Sequence, residues 1–457
     1  MSGASPARQV AFDTIRAVHE SDAYANLLLP RALARAGLST ADAALTTELT
    51  YGTLRRQGTY DAVIGLAADR SIHDIDPPVL DALRLGVHQL LSTRVASHAA
   101  VNESVELARS AGGRGAAGFA NAVLRRVARD TPGDWITHIE QSARSDDERL
   151  GLTTSHPVWV VRAFRRALAA EGRADELHAL LAADNASPRV TMAALPGIAE
   201  VPDGARRTPF SPVGFRLEGG DPEGLITSSG GTLRVQDEGS QLAALALTRA
   251  VPVRAGERWL DLCAGPGGKT AVLAAEALAH GAILEANEVS PARAGLVRQA
   301  IAGVPLRVEV SEQDGRVRAA ASPDAYDRIL VDAPCTGLGA LRRRPEARWR
   351  KAPTDVPELT ALQGDLLRAA FTGLRPGGIV AYVTCSPHLA ETASVVADLR
   401  REVGDQIEEL DARAVIRSVS HSEPDLPEPA DGSGRAQLWP HRHNTDAMSI
   451  TLLRKRA

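Results

Sequence analysis

The chain has 457 residues, of which 44 % are hydrophobic and 24 % are charged, and its formal net charge is −4. These values are typical of a soluble globular protein of two to four domains, and they exclude a partner held by bulk charge alone. No stretch approaches 18 consecutive apolar residues, so we expect a cytoplasmic protein with no membrane partner. The cysteines Cys263, Cys335 and Cys385 lack Cys-x-x-Cys spacing, which argues against a disulfide framework and a metal site.

Residues 1–133 show the spacing of amphipathic helices. Apolar residues recur every three or four positions in ARQVAFDTIRAVHE (7–20), VLDALRLGVHQLL (79–91) and AAVNESVELARSAG (99–112). The stretches IHDIDPP and AGGRGAAG are typical of turns. We therefore predict an all-α domain over residues 1–133.

The rest of the chain predicts two more domains. Residues 134–230 read as a small α+β domain, with strands in PRVTMAAL and GFRLEGG. Over residues 231–457, short apolar runs alternate with helical segments, which is typical of a parallel, doubly wound sheet. The predicted strands lie in RWLDLC, GAILEANE, PLRVEVSEQD, YDRILVDAP and GGIVAYVTCS, and SITLLRK is a candidate closing edge strand.

A glycine-rich loop follows the first of these strands. In such sheets, ligands bind at the carboxyl ends of the strands, and glycines there allow a close approach of backbone and ligand. The spacing is neither Gly-x-Gly-x-x-Gly nor that of a phosphate-binding Walker loop. A dinucleotide or S-adenosylmethionine is the predicted ligand class, and the loop residues are Cys263, Ala264, Gly265, Pro266, Gly267, Gly268 and Lys269.

Acidic residues follow the next three strands. Glu288 lies about twenty residues after the loop, where an acid can hold ribose hydroxyls. Asp314 and Asp332 follow the third and fourth strands, where Asp314 would accept a hydrogen bond from an adenine amine. Each acid alone is equally explained as a helix cap or a turn former, but one cofactor lying across the strand ends would meet all of them.

Two thiols lie in neighbouring loops of the predicted sheet, Cys335 in DAPCTG and Cys385 in TCSP. A single cysteine is usually a small buried apolar residue, but two in adjacent loops favour chemistry. Cytosine C5 cannot take a methyl group directly. A thiolate that adds to C6 makes C5 nucleophilic, a carboxylic acid can stabilise the adduct, and a base must then remove the C5 proton. The spacing does not choose which cysteine attacks.

The motifs LDLCAGPGGKT, DAPCTGLGALRRRPEARW, TCSP and RVQDEGSQL together resemble the RsmB (Sun/Fmu) family of 16S ribosomal RNA cytosine-5 methyltransferases. The resemblance covers nearly the whole chain, and its N-terminal part, GFANAVLRR above all, is similar to the antitermination factor NusB. It implies a NusB-like helical domain, a small RNA-recognition-like subdomain and a Rossmann-like methyltransferase domain.

The resemblance also implies residue roles. S-adenosylmethionine would be held by residues 263–269, Glu288, Arg293, Asp314 and Asp332. Cys385 would be the nucleophile and Cys335 would assist release, with Asp332 and Lys269 as further catalytic residues. In DNA cytosine methyltransferases the Pro-Cys thiol attacks instead. Glu288 stands where relatives usually have Asp, which is equivalent toward a ribose diol.

A basic run follows Cys335 directly. A run of this kind is most often a solvent-exposed face without a ligand. Its place beside the predicted site instead favours contact with RNA phosphates and stacking of a base or ribose on an aromatic ring. The candidate RNA-binding residues are Arg342, Arg343, Arg344, Arg348 and Trp349.

We expect a monomeric enzyme whose partner is small-subunit ribosomal RNA before or early in assembly. Three alternatives stay open at this level. They are a transfer-RNA or DNA cytosine-5 methyltransferase, a non-catalytic RNA-binding assembly factor, and a nicotinamide-dependent dehydrogenase.

Overall fold

The protein is described by a computed structural model that covers residues 3–21 and 23–457. The helices in chain order are α1 Pro6–Glu20, α2 Ala25–Ala36, α3 Thr40–Arg55, α4 Gln57–Ala68, α5 Pro77–Ser92, α6 Ser97–Val127, α7 Pro132–Ser142, α8 Asp146–Thr154, α9 Val158–Ala169, α10 Leu177–Asp184, α11 Pro222–Ser228, α12 Glu238–Arg249, α13 Gly268–His280, α14 Pro291–Ile301, α15 Gly315–Ala320, α16 Ala347–Arg350, α17 Val356–Gly373, α18 Ala393–Val403, α19 Ala412–Val419 and α20 Pro440–His443. The strands are β1 Thr191–Ala194, β2 Arg206–Arg207, β3 Gly214–Arg216, β4 Leu233–Val235, β5 Arg258–Asp261, β6 Ile283–Asn287, β7 Glu309–Ser311, β8 Tyr326–Asp332, β9 Leu374–Thr384, β10 Ile407–Leu410, β11 Ala436–Gln437 and β12 Ser449–Lys455.

The chain forms two compact units, each built from three stretches. The helical unit contains residues 1–162, 184–186 and 341–351, and the second unit contains residues 163–183, 187–340 and 352–457. The predicted fold class is confirmed, because an all-α N-terminal region precedes a small sheet and an α/β sheet. The division at residues 133 and 230 stays a prediction.

The helical unit follows from apolar spacing and from helix-start signals. Proline stands in the first turn of α1 and of α5, where the missing N–H costs nothing, and the Ser39 hydroxyl accepts a hydrogen bond from the Asp42 N–H at the start of α3. The apolar faces of the helices form one buried core. The predicted break at AGGRGAAG is a kink inside α6, where Gly113 has φ 76°.

Residues 341–351, which carry the basic run, belong to the helical unit. Arg348 is fully buried, and its guanidinium donates to the carbonyl oxygens of Arg55, Ser155 and Asp184 at 2.8, 3.0 and 2.8 Å. The prediction that Arg348 contacts RNA is therefore wrong, since the side chain is fully buried and both terminal guanidinium nitrogens donate inside the fold. Arg342 is also buried, and its contact with RNA stays a prediction.

The rest of the basic run is more accessible. Arg344 is exposed and its guanidinium lies 5.1 Å from the centre of the Tyr24 ring, while Arg343 is half-buried. Trp349 is 38 % exposed, yet one edge of its indole packs on Gly58 of α4. RNA contact by Arg343, Arg344 and Trp349 stays a prediction.

The second unit holds two sheets. The small sheet is antiparallel with the order β2-β3-β1-β4, and it contains the two strands predicted in residues 188–220. The large sheet has the order β10-β12-β9-β8-β5-β6-β7. Its strands β9, β8, β5, β6 and β7 are mutually parallel, and β12 runs antiparallel to β9.

The prediction that SITLLRK closes the sheet as an edge strand is wrong in one respect. The stretch does form β12, but β12 pairs with β9 on one side and with β10 and β11 on the other. The edge strand at this end is β10, Ile407–Leu410. This segment of four residues is too short and too acidic for its sequence to predict a strand.

The packing of Trp349 on α4 can be tested with two glycine substitutions. A Cβ at Gly58 would lie 2.4 Å from Cη2 of Trp349, so we expect Gly58→Ala to destabilise the helical unit by about 1–3 kcal/mol. The matched control is Gly118→Ala in α6, where a Cβ meets nothing within 4 Å; this variant should gain about 0.5–1 kcal/mol from helix propensity. Denaturant melts followed by circular dichroism would measure both, and equal effects would contradict the packing.

Candidate active site

The candidate site residues follow the carboxyl ends of the parallel strands, which meet at one edge of the large sheet. The glycine-rich loop follows β5, Glu288 follows β6, and Asp332 is the last residue of β8. Cys335 lies three residues after β8, and Cys385 is the first residue after β9. Because β9, β8, β5 and β6 are neighbours in that order, these side chains share one edge.

Glu288 shapes the glycine-rich loop. Its Oε2 accepts a hydrogen bond from the Gly265 N–H at 3.0 Å, and its Oε1 accepts one from the Ser290 N–H at 3.0 Å. Arg293 donates to the Gly265 carbonyl oxygen at 2.5 Å and lies 3.4 Å from the Glu288 carboxylate. The buried Glu288 and the exposed Arg293 thus hold the loop from two sides, and Glu288 keeps free lone pairs for a diol.

Two glycines of the loop are required by packing. Gly267 has φ 104°, and a Cβ there would lie 2.4 Å from Cβ of Ala300. A Cβ at Gly265 would lie 2.3 Å from the Glu288 carboxylate. These glycines were expected to allow a close approach of a ligand, whereas in the structure Gly267 closely approaches α14 and Gly265 closely approaches Glu288.

Asn287, the last residue of β6, was missed by the sequence analysis. Its amide donates to the carbonyl oxygens of Leu262 and Gln313 at 3.2 and 3.0 Å, and its Oδ1 accepts from the Ser311 hydroxyl at 2.8 Å. One buried side chain therefore ties together the ends of β5, β6 and β7. No motif spacing marks it, because its partners are backbone groups of other strands.

Asp314 lies at the start of α15, away from these contacts. Its carboxylate accepts a hydrogen bond from the Arg316 N–H at 2.9 Å and pairs with the Arg316 side chain at 2.6 Å. The side-chain hydrogen bond from Arg316 lowers the pKa of Asp314. Asp314 is thus a helix cap in this structure, and its contact with a cofactor stays a prediction.

Asp261, the last residue of β5, was also missed. It is fully buried, its Oδ2 accepts from the Thr270 hydroxyl at 2.7 Å, and its Oδ1 has no hydrogen-bond partner in the described part of the chain. Burial raises the pKa of Asp261 to about 7. An unpaired buried acceptor beside the loop is suited to a ligand that carries hydrogen-bond donors.

Lys269 and Asp332 form an ion pair at the mouth of the site. Lys269 Nζ lies 2.7 Å from Asp332 Oδ2, and both side chains are largely shielded from solvent. Burial alone would lower the pKa of Lys269, but the Asp332 carboxylate outweighs it and the net pKa is raised. The lysine therefore stays a cation at this edge of the sheet.

The two thiols predicted to be neighbours are in contact. Cys335 Sγ and Cys385 Sγ lie 3.5 Å apart, and both residues are free cysteines. The hydrogen bond from Cys335 lowers the pKa of Cys385, with help from the nearby Lys269 ammonium. The same hydrogen bond, burial and the Glu391 carboxylate raise the pKa of Cys335. Of the two thiols, Cys385 is thus the one that loses its proton more readily.

Cys263 differs from the other two thiols. It packs against the apolar core beneath the sheet, and burial raises its pKa well above the ordinary value. It is therefore a neutral thiol within the loop.

The chain matches two family models. A model described as 16S rRNA methyltransferase RsmB/F matches residues 249–454, and a NusB family model matches residues 5–129. The chain is 49 % identical to the "Putative methyltransferase Rv1407" of Mycobacterium tuberculosis, covering 98 % of this chain and 96 % of that protein. It is 30 % identical to the "Probable ribosomal RNA small subunit methyltransferase B" of Bacillus subtilis, covering 98 % of each. The chain belongs to the RsmB/F methyltransferase family.

Solved structures share the fold of this family member. The crystal structure of PH0851 is similar with a TM-score of 0.80 and 22 % identity over the full length of both chains. A methyltransferase homologue from Pyrococcus horikoshii has a TM-score of 0.52 and 23 % identity, covering 67 % of this chain and 97 % of that one. At these identities the likeness shows the fold alone.

Family membership makes the protein a methyltransferase that uses S-adenosylmethionine, and the site fits this cofactor. Three carboxylates, Asp261, Glu288 and Asp332, face the two cations Lys269 and Arg293, so the loop suits a ligand with a positive sulfonium. Gln236, whose buried Oε1 also lacks a partner in the described residues, lies beside Gly268.

Residues 3–21 and 23–457 lack two further features. No group of three or more His, Cys, Asp or Glu side chains there could hold a metal ion. None of the described helices is long and apolar enough to span a bilayer.

The raised pKa of Asp261 has a measurable effect on stability. Its folded pKa of about 7 lies above the ordinary value of 3.8, so the folded state gains a proton between the two values and stability falls as the pH rises through that window. We expect Asp261→Asn, which keeps an acceptor for Thr270, to melt higher than the wild type at pH 8.5 and the advantage to shrink at pH 5. The gain at pH 8.5 should be about a few °C.

Asp314→Asn is the control for that experiment, because the pKa of Asp314 is lowered and the sign reverses. This variant should lose stability at pH 8.5 and approach the wild type at low pH. A melting difference for Asp261→Asn that is the same at both pH values would contradict a buried, protonatable Asp261.

Proposed function

We propose that the protein is an RNA cytosine-5 methyltransferase that acts on small-subunit (16S) ribosomal RNA through a covalent Cys–cytosine C6 adduct. The observation that supports this most is the contact of two thiols, 3.5 Å apart, at the sheet edge that also carries the cofactor loop and the Lys269–Asp332 pair. A methyl transfer to oxygen or to an amine has no use for a second thiol. Ribosomal RNA is the substrate named for the Bacillus subtilis relative.

The attack on cytosine needs a thiolate, and Cys385 suits this role. Cys385 lies near the Lys269 cation, whereas Cys335 lies near the Glu391 carboxylate. The hydrogen bond from Cys335, aided by Lys269 against the opposing carboxylate of Asp332, favours a negative charge on Cys385 Sγ, whereas the Glu391 carboxylate disfavours one on Cys335 Sγ. When Cys385 Sγ bonds to C6, the electron pair of the C5–C6 double bond moves toward N3, and C5 becomes an enamine carbon.

The Lys269–Asp332 pair suits the charge that develops on the base. Asp332 accepts a hydrogen bond from Lys269 Nζ. As the ring gains electrons, the proton of this hydrogen bond can be shared with N3 of the base, so Asp332 can pass a proton to N3 at the same position. S-adenosylmethionine, when bound, supplies an electrophilic sulfonium methyl that the enamine C5 can take.

Release requires loss of the C5 proton and of the thiol. Once Cys385 is bonded to C6 it no longer carries charge, so the like charge that raises the pKa of Cys335 is removed. Cys335 first loses its own proton to solvent and then, as a thiolate, accepts the C5 proton directly or through a water. The C5–C6 double bond re-forms, and Cys385 leaves as a thiolate. The 3.5 Å between the sulfurs allows both to reach the same ring.

The covalent step can be tested by trapping. With Cys335→Ala, release should be slow, and an RNA–protein adduct should accumulate that survives a denaturing gel. Cys385→Ala should form no adduct, and Cys263→Ala serves as a matched control for loss of a buried thiol and should accumulate none. An adduct with Cys385→Ala would exchange the two roles, and no adduct with any variant would contradict the covalent mechanism.

The substrate can be tested by bisulfite sequencing of cellular ribosomal and transfer RNA. We compare cells with the intact gene, cells without it, and cells with Cys385→Ala. One 5-methylcytosine of 16S ribosomal RNA should vanish in both altered strains. A site lost from transfer RNA instead would move the substrate to that class, and unchanged maps would refute the cytosine-5 assignment.

Three further statements belong to this proposal and stay predictions. The RNA is not yet assembled or only partly assembled into the subunit, the enzyme acts as a monomer, and it acts in the cytoplasm.

A further inference from the structure

Glu391 is a buried carboxylate that the proposed chemistry does not use. It ends a short 3₁₀ helix, Leu389–Glu391, six residues after Cys385, and it is fully shielded from solvent. An ionised side chain in such a place is costly unless hydrogen bonds replace its lost water. Its partners therefore indicate why it is there.

The partners of Glu391 adjoin the two thiols. Thr336, which follows Cys335, donates its N–H to Oε1 at 2.7 Å and its hydroxyl to Oε2 at 2.5 Å. Ser386, which follows Cys385, donates its hydroxyl to Oε2 at 2.6 Å. The two hydroxyl oxygens lie 3.0 Å apart. One carboxylate thus bridges the loops after β8 and β9.

Two more residues fix Glu391 itself. Gln363 of α17 donates to Glu391 Oε1 at 3.2 Å and to the Pro334 carbonyl oxygen at 2.8 Å, so it also holds the Cys335 loop. The Tyr382 hydroxyl, from β9, donates to the Glu391 carbonyl oxygen at 2.7 Å. Backbone and side chain of Glu391 are both anchored, which leaves little freedom to the loops they join.

The donors around the Glu391 carboxylate are neutral, so its negative charge acts on nearby groups. Cys335 and Tyr382 lie in its field on one side, and His388 on another. Burial lowers the pKa of His388, so that ring stays neutral and does not cancel the charge. Cys385 instead faces Lys269, together with Asp332 and Asp446.

We propose that Glu391 is a positioning residue, which fixes the two thiols in contact and, by its charge beside Cys335, keeps the thiolate on Cys385. This inference rests on the proposed function for the roles of the thiols. The contact and the charge can each be measured without RNA or cofactor, so the two proposals can fail separately.

The role of the Glu391 charge is tested with Glu391→Gln, which removes the charge and keeps the shape of the side chain. The Gln carbonyl can accept from the Thr336 N–H, and its amide can donate to the two hydroxyls, which rotate to accept. Iodoacetamide alkylation of the full-length chain, quantified for each cysteine by mass spectrometry from pH 6 to pH 10, should show Cys385 reacting at lower pH than Cys335. In Glu391→Gln the reaction of Cys335 at pH 7 should rise by about threefold or more relative to Cys385.

The role of Glu391 in holding the two thiols in contact is tested with Glu391→Ala, which removes the hydrogen bonds that join the loops after β8 and β9. A diazene oxidant such as diamide takes two electrons and two protons from the thiols, and a Cys335–Cys385 disulfide forms while the diazene becomes a hydrazine. The rate should fall by about tenfold in Glu391→Ala and stay near the wild-type rate in Glu391→Gln. Glu276→Gln is the matched control, since Glu276 is also buried and hydrogen-bonded, to Arg249, and it should change neither assay.

Kinetics then links Glu391 to catalysis. In Glu391→Gln, kcat for RNA methylation should fall by about tenfold, while KM for RNA and for S-adenosylmethionine changes little, because Glu391 touches neither. If either variant does not fold, Ser386→Ala cuts the bridge on the Cys385 side alone and should slow disulfide formation. Wild-type alkylation and oxidation in both Glu391 variants would overturn the inference, whatever RNA the enzyme methylates.

Discussion

The parallel arrangement of β9, β8, β5 and β6 is the constraint on which the site depends. Parallel neighbours end together, so loops that are far apart in sequence are brought to one edge. Cys335 and Cys385 are separated by 50 positions, yet their sulfurs are in contact because β8 and β9 are hydrogen-bonded along Arg328–Asp332 and Ile379–Val383. The side chains themselves are then adjusted by a few buried polar residues that tie loop to loop.

These buried polar contacts also stabilise charged groups that have lost their water. A site that strips water from a cofactor and a base must keep several charged groups in a poorly polarisable environment. Asp332 and Glu288 are paired with Lys269 and Arg293, whereas the Glu391 carboxylate is held by neutral donors. An ion pair holds a carboxylate in place and neutralises its charge. Neutral donors hold a carboxylate in place but do not neutralise it, so its charge still acts on neighbouring groups. The first arrangement surrounds the cofactor loop, and the second surrounds the thiols.

Sequence alone predicted the helical region, the parallel strands and the meeting of the two thiols. These follow from apolar spacing and from the geometry of parallel sheets, which act locally or through simple topology. It failed for Arg348, whose charge resembles that of its exposed neighbours while its partners are carbonyl oxygens as far as 293 positions away. Asn287 and Glu391 escaped notice because their partners also lie far away in the sequence, and Asp261 because its burial is set by the packing around β5. β10 was missed because its pairing with β12, and not its own composition, makes it a strand.

The return of residues 341–351 to the helical unit has a consequence for how this chain can be divided. Neither unit is a single stretch, so no one cleavage or recombination point separates them. A chain beginning at residue 163 would carry Arg348 without the Arg55 and Ser155 carbonyl oxygens that satisfy it. The N-terminal stretch alone would lose the Trp349 indole that covers Gly58. Any single cut that separates the two units therefore removes buried contacts of the helical unit.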